Sequence, residues 1–304
     1  MNADKSKLND LRSFRGFKRL LRGALIAYLL VCVMLYFAQD WLLFPGASYQ
    51  GSAETTIVAP PGCEMVRLNA ATGDRVTALW GQAIGADGQV DPQFEQRPTL
   101  LYFYGNGATI AWSMGEFKQF RKLDVNVLLP DYVGYGMSTG KPSETSLYAT
   151  ADAAYEYLTK TRGVPPRRIV AIGWSLGAAV AIDLASRKPV AACAMFCPFT
   201  NLRETAHYHL PWFPASLILK YRFDNLAKIG GLTCPLFICN GLKDEIVPPP
   251  MSDRLAAAAK APVTRVKVPA ADHNGIFSAD PDAVFPALAK FLNSIHESTA
   301  EKRR

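Results

Sequence analysis

Histidine is scarce in this sequence. Four occur in 304 residues, at positions 207, 209, 273 and 296, so any reaction that needs an imidazole base has few candidates. The six cysteines (Cys32, Cys63, Cys193, Cys197, Cys234 and Cys239) form no C-x-x-C pair and no Cys/His zinc spacing. A zinc module and a disulfide framework are thereby excluded, although a single bridge is not. Several of these cysteines sit inside apolar runs, as small buried thiols do. There is no internal repeat and no low-complexity tract. Nothing in the sequence calls for a metal or a cofactor.

Charge is nearly absent as a net quantity from most of the chain. The formal charge is +7, but seven basic and two acidic residues up to Arg22 supply five of it, and Glu301–Arg304 supply the other two. The remainder is balanced. Nucleic-acid binding would need a basic face on the fold itself, so it is not expected.

Directly after the basic segment comes an uncharged run, Gly23 to Gln39. Seventeen residues is the lower limit for a membrane-spanning helix, and Trp41–Phe44 extends the apolar contact past Asp40. Residues 1–22 are therefore expected to be a basic cytoplasmic tail and 23–44 a transmembrane signal anchor. Basic residues before the span and few after it put the rest of the chain on the opposite side. Tyr36, Phe37 and Trp41 are spaced like an interfacial aromatic belt. A cleaved signal peptide would need a small-x-small site, where the chain instead has Leu35-Tyr36-Phe37. A buried core helix would leave the seven basic residues unexplained.

From about residue 55 to 296, strand-like and helix-like patterns alternate. Thr99–Tyr104, the stretch from Val125, residues 167–173, Ala191–Phe196 and the stretch from Pro235 are short apolar runs that suit strands buried on both faces. Helical patterns lie between them, one with Ser143 as its cap. This alternation predicts a mainly parallel sheet with helices on both faces. Residues 198–230 are too long and aromatic for a simple connection. They read as a small lid over the carboxyl edge of the sheet, with a longer crossover helix as the alternative.

The carboxyl ends of parallel strands are where sites form. Gly173-Trp174-Ser175-Leu176-Gly177 lies between a strand pattern and a helix pattern. That is the setting of a nucleophile held on a sharp turn, with small neighbours that permit the packing. A serine nucleophile needs a base, and in this architecture the order is Ser, acid, His. His296 lies in the polar tail, and His207 and His209 precede any suitable acid. His273, in the loop after the last strand, is the expected base. The acid is expected in the loop after "PLFICNG", which offers Asp244 and Glu245; Asp244 is favoured, and Asp272 beside the histidine is read as a solvated loop residue. The backbone N–H groups of Asn106 and Leu176 are the expected oxyanion donors.

Together, "WLLFP", "YGNG", "LLPDYVGYGMSTG", "GWSLG", "CPLFICNGLKDEIVPP" and "DHNG" resemble the α/β-hydrolase superfamily. The likeness is nearest to its membrane-anchored branch, which includes bud emergence protein 46 and the alpha/beta-hydrolase-domain proteins 13 and 17. It covers most of the chain from residue 20 to 293. It implies an α/β-hydrolase fold with Ser175, Asp244 and His273 as triad, and Asp131 as a structural turn residue. The family's usual His-Gly-Asn stands here as Tyr104-Gly105-Asn106. The expectation is a membrane-anchored serine hydrolase acting on a small acyl ester, a lipid or an acylated protein, with the bilayer as its partner. A serine peptidase of the same fold and a non-catalytic membrane scaffold are the alternatives.

Overall fold

In the computed structural model, residues 2–85 and 87–301 are described, with side chains for 14, 16–85 and 87–295. The basic side chains of Lys5, Lys7, Arg12 and Arg15, the side chain of His296 and residues 302–304 lie outside that set. Helix α1 (Asn2–Leu43) runs unbroken through the basic segment and the apolar run. Its stretch Gly16–Leu43, 28 residues, is the one helix among the described residues long and apolar enough to cross a membrane. At ~1.5 Å per residue it exceeds the ~30 Å hydrocarbon core.

The apolar runs become one eight-stranded sheet. Strands β1 (Cys63–Asn69) and β2 (Arg75–Gly81) form a hairpin, with Gly73 at φ +86° and the Thr72 hydroxyl donating to Asp74 in its turn. β3 (Thr99–Phe103), β4 (Asn126–Pro130), β5 (Ile169–Trp174), β6 (Ala192–Phe196), β7 (Leu236–Gly241) and β8 (Val263–Val268) complete it. The spatial order is β1-β2-β4-β3-β5-β6-β7-β8, antiparallel at β1–β2 and β2–β4 and parallel elsewhere. β3, β4 and β6 are buried at every residue, which is why they lack an alternating pattern.

Helices cover both faces. α2 (Met114–Arg121) and α9 (Pro281–Glu301) share one, where the Phe120 and Phe285 rings meet at 6.2 Å. α3 (Glu144–Glu156), α4 (Leu176–Arg187), α7 (Asn225–Ile229) and α8 (Pro249–Ala258) pack side by side on the other. Ser143 caps α3 as its sequence suggests, in a reciprocal box with Ser146. α8 starts five residues before its alanine-rich stretch, because prolines at its first positions have no helical N–H to lose. Within 198–230 are α5 (Leu202–His209), α6 (Ala215–Ile218) and α7. α5 and α6 lie against α1, where Cys32, Phe213 and Ala215 make a small apolar cluster apart from the main core.

The loop after β4 is organised by one buried carboxylate. Asp131 accepts from the N–H groups of Ile110 (2.8 Å) and Met137 (2.9 Å) and from the Tyr104 hydroxyl (2.8 Å). Burial pushes its pKa up from 3.8 to about 6, outweighing the three donors that pull the other way. The folded chain therefore holds this proton more tightly than the unfolded chain. Its contribution to stability is largest below about pH 4 and falls as pH rises to about 6. The Tm of the wild type minus that of Asp131→Asn, measured in detergent micelles, should decrease between these limits; a difference flat with pH would contradict it.

Candidate active site

Ser175 is the single residue between β5 and α4, and its backbone is strained, at φ +55° and ψ −114°. Such a conformation costs about 1–3 kcal/mol for a residue with a side chain and persists only where the surroundings over-determine it. They do so here. A Cβ at Gly173 would lie 2.0 Å from the Gly177 carbonyl oxygen, and one at Gly177 would lie 2.0 Å from that of Phe103. The helix thus starts in direct backbone contact with β3 and β5. The Ser175 N–H donates to the Phe196 carbonyl at 2.8 Å, which fixes the turn from its third side.

His273, from the loop after β8, puts its Nε2 at 2.9 Å from Ser175 Oγ and its Nδ1 at 2.7 Å from Asp244 Oδ2. A carboxylate can only accept, so Nδ1 carries the proton and Nε2 is left to accept from the hydroxyl. Asp244 is itself held, its Oδ1 accepting from the N–H groups of Ile246 (3.0 Å) and Val247 (2.7 Å). Both Asp244 and His273 are buried, while Glu245 is exposed. Asp272 caps its own loop by accepting from the Gly275 N–H. Of the other histidines, His209 meets the Ile246 carbonyl from the end of α5, at 2.8 Å, and His207 sits on the same helix.

The structure thus brings Ser175, His273 and Asp244 into one continuous relay. Around it is a cleft of about 520 Å³, lined in part by Gly105, Asn106, Trp174, Leu176 and Phe199. Leu176 opens α4, whose first-turn N–H groups have no carbonyl within the helix. The Asn106 N–H enters no hydrogen bond among the described residues.

Four features escape a reading of the sequence. Trp174 stands beside His273, with ring centroids 5.7 Å apart. Tyr104, in the place of the family's histidine, donates to Asp131 and accepts from the Tyr132 N–H, while the Tyr132 hydroxyl donates to the Tyr104 carbonyl. The loop is thereby tied to the turn after β4. The exit of α1 reaches the same loop: Asn106 Nδ2 donates to the Leu43 carbonyl (3.2 Å), and the Asn106 carbonyl accepts from the Gly46 N–H (3.2 Å). Finally, Cys197 Sγ, Asp244 and His273 offer ligand atoms within 4.8 Å of one another. Both ring nitrogens of His273 are committed to the relay, and burial pushes the Cys197 thiol up, away from the thiolate a metal would need.

Comparison with known proteins gives the family and the fold. The model of the alpha/beta hydrolase family matches residues 105–224. Protein bem46 of Schizosaccharomyces pombe is 32% identical over 238 residues, 75% of this chain and 77% of that protein. The chain belongs to the alpha/beta hydrolase family. An uncharacterized protein of Mycobacterium tuberculosis is 38% identical over 195 residues, 64% of this chain and 69% of that one. Among solved structures, an esterase of Pyrococcus furiosus has the same fold, with a TM-score of 0.64 at 19% identity, over 76% of this chain and 90% of the esterase.

The glycine contacts generate a prediction. Gly177→Ala places a methyl group against the Phe103 backbone, which cannot yield as a flexible side chain would. The substitution should cost about 3 kcal/mol, the upper end for overpacking, and lower the thermal midpoint in detergent micelles by several degrees; an unchanged midpoint contradicts the packing.

Proposed function

We propose that this alpha/beta hydrolase is a membrane-anchored serine hydrolase that cleaves acyl esters or thioesters. The observation that carries the reading is the relay from Ser175 through His273 to Asp244. Ser175 Oγ attacks the acyl carbonyl carbon as His273 Nε2 takes its proton. The carbonyl oxygen becomes an oxyanion, which the N–H groups of Leu176 and Asn106 serve as donors, aided by the positive end of the α4 dipole. His273 gives the proton to the departing alcohol or thiol, leaving an acyl-serine. Water, deprotonated by the same imidazole, then releases the carboxylic acid and restores the serine. Asp244 holds the tautomer and offsets the charge of the imidazolium.

The anchoring part of the proposal rests on α1. Residues 1–22 form a basic cytoplasmic tail, 23–44 the anchor and 55–296 the catalytic domain on the other side of the membrane, with 198–230 as lid. The apolar length of Gly16–Leu43 and the basic residues ahead of the uncharged run support this arrangement. The esterase named among the solved structures supports ester chemistry as a class.

A fluorophosphonate probe tests the nucleophile. The wild type should be labelled and Ser175→Ala should not. Asp244→Asn, which disturbs the tautomer, should cut ester turnover by about 10⁴. Labelling unchanged in Ser175→Ala would overturn the reading.

A further inference from the structure

The lid holds a second uncharged run. Residues 210–219, LPWFPASLIL, lie between His209 and Lys220. They pack along α1 rather than on the sheet. Phe213 and Ala215 are buried against Cys32, with Leu35, Leu210 and Leu219 around them. The Tyr28 hydroxyl donates to the Trp212 carbonyl at 3.1 Å. The polar contacts gather at the other end: the Lys220 N–H donates to Gln39, and the Lys220 ammonium (3.2 Å) and Tyr221 hydroxyl (2.9 Å) meet Asp40. Twelve residues of helix separate Tyr28 from Asp40, about 18 Å of rise and more than half of the ~30 Å hydrocarbon core. With α1 crossing the bilayer, the tip of the lid lies inside it. Its outward side suits that place, since Trp212 is 50% exposed and Leu217 85%.

Between α1 and the lid runs a groove of about 460 Å³, walled by apolar side chains that include Leu35, Leu42, Ala206 and Phe213. Leu43, Leu202 and Thr205 line both this groove and the Ser175 cleft, so the two adjoin with only these side chains between them. The polar groups along the groove are already used. Gln39 bonds the Tyr36 carbonyl and the Lys220 N–H, Tyr221 bonds Asp40, His209 meets the Ile246 carbonyl, and Thr205 donates to the Asn201 carbonyl. A peptide lying there would bury backbone N–H and C=O groups without partners, at a cost of several kcal/mol in total. An unbranched hydrocarbon chain would not.

We propose that this groove binds the acyl tail of a lipid resident in the bilayer, which passes between α1 and the lid and delivers its ester carbonyl to Ser175. The proposal rests on the serine hydrolase reading for what happens to the ester, but not for the binding itself. The anchor is then one wall of the substrate site, and the lid is the other.

Full-length protein carrying Ser175→Ala, in phospholipid nanodiscs, is irradiated with a phosphatidylcholine whose acyl tail ends in a diazirine. Attachments are expected on the groove residues Leu35, Leu43, Leu202, Leu210, Phe213 and Leu219 as well as on the outward-facing Leu29, Leu30, Phe37, Trp212 and Leu217. Adding Ala206→Trp, which fills the groove, should remove the groove attachments and keep those on the exposed face. Groove attachments that are missing at the outset, or that persist in Ala206→Trp, overturn the proposal. With Ser175 intact, Ala206→Trp should lower kcat/KM for the hexadecanoyl p-nitrophenyl ester relative to the butanoyl ester by about tenfold or more; an unchanged ratio also overturns it. Fluorophosphonate labelling reports separately on the nucleophile. Its failure removes the hydrolase reading, while the attachment map still decides the groove.

Discussion

The contact between the start of α4 and the strands beside it constrains everything at the carboxyl edge of the sheet. With no side chain at Gly173 or Gly177, the helix begins against the backbone of β3 and β5, and Ser175 is forced into a left-handed conformation between them. The strain is local and the support is distributed. β6 accepts the serine N–H, and β5 is paired on both sides. Looser packing would let the turn relax, and the hydroxyl would leave the reach of His273. A rigid sheet here sets the aim of a single side chain, while the base and the acid ride on loops whose ends are pinned by their own hydrogen bonds.

A second constraint joins α1 to the site. α1 ends at Leu43, and the next residues bond the loop that carries Asn106 from both sides. Tyr135 adds a hydroxyl to the same Asn106 carbonyl. The loop is fixed by three elements: the exit of α1, the turn after β4, and Tyr104 through Asp131. A tether whose only task was to hold a domain at a surface would need none of these bonds. The proposed passage for an acyl tail makes sense of them, since the wall of the groove and the loop beside the nucleophile then keep a fixed distance.

Much of the fold was legible in the sequence because buried parallel strands write themselves as short apolar runs, and β3, β4 and β6 do so without interruption. The chain order of Ser175, Asp244 and His273, with only four histidines to choose from, was enough to select three residues that the structure brings within hydrogen-bonding distance. The contacts of α1 were not legible. A run such as Gly23–Gln39 has the same composition whether lipid or a lid covers it, and the pairing of Cys32 with Phe213 spans too much chain for periodicity to register. The role of Tyr104 was hidden for a related reason. A tyrosine in a Gly-rich loop carries no sign of the buried carboxylate it meets 27 residues later. Pro286 shows the limit of local rules in the other direction: it sits, exposed, at the sixth position of α9, beyond the first turn that tolerates proline freely, and the helix continues through it.

The central claim is that a strained serine at the head of α4 forms a covalent acyl intermediate. Rapid acid quench of the wild type with a long-chain p-nitrophenyl ester, coupled to peptide mass mapping, tests it most directly. The account predicts an acyl adduct on the peptide carrying Ser175 that forms and decays at the turnover rate. An adduct on Cys197 instead, or turnover with no adduct on Ser175, would contradict it.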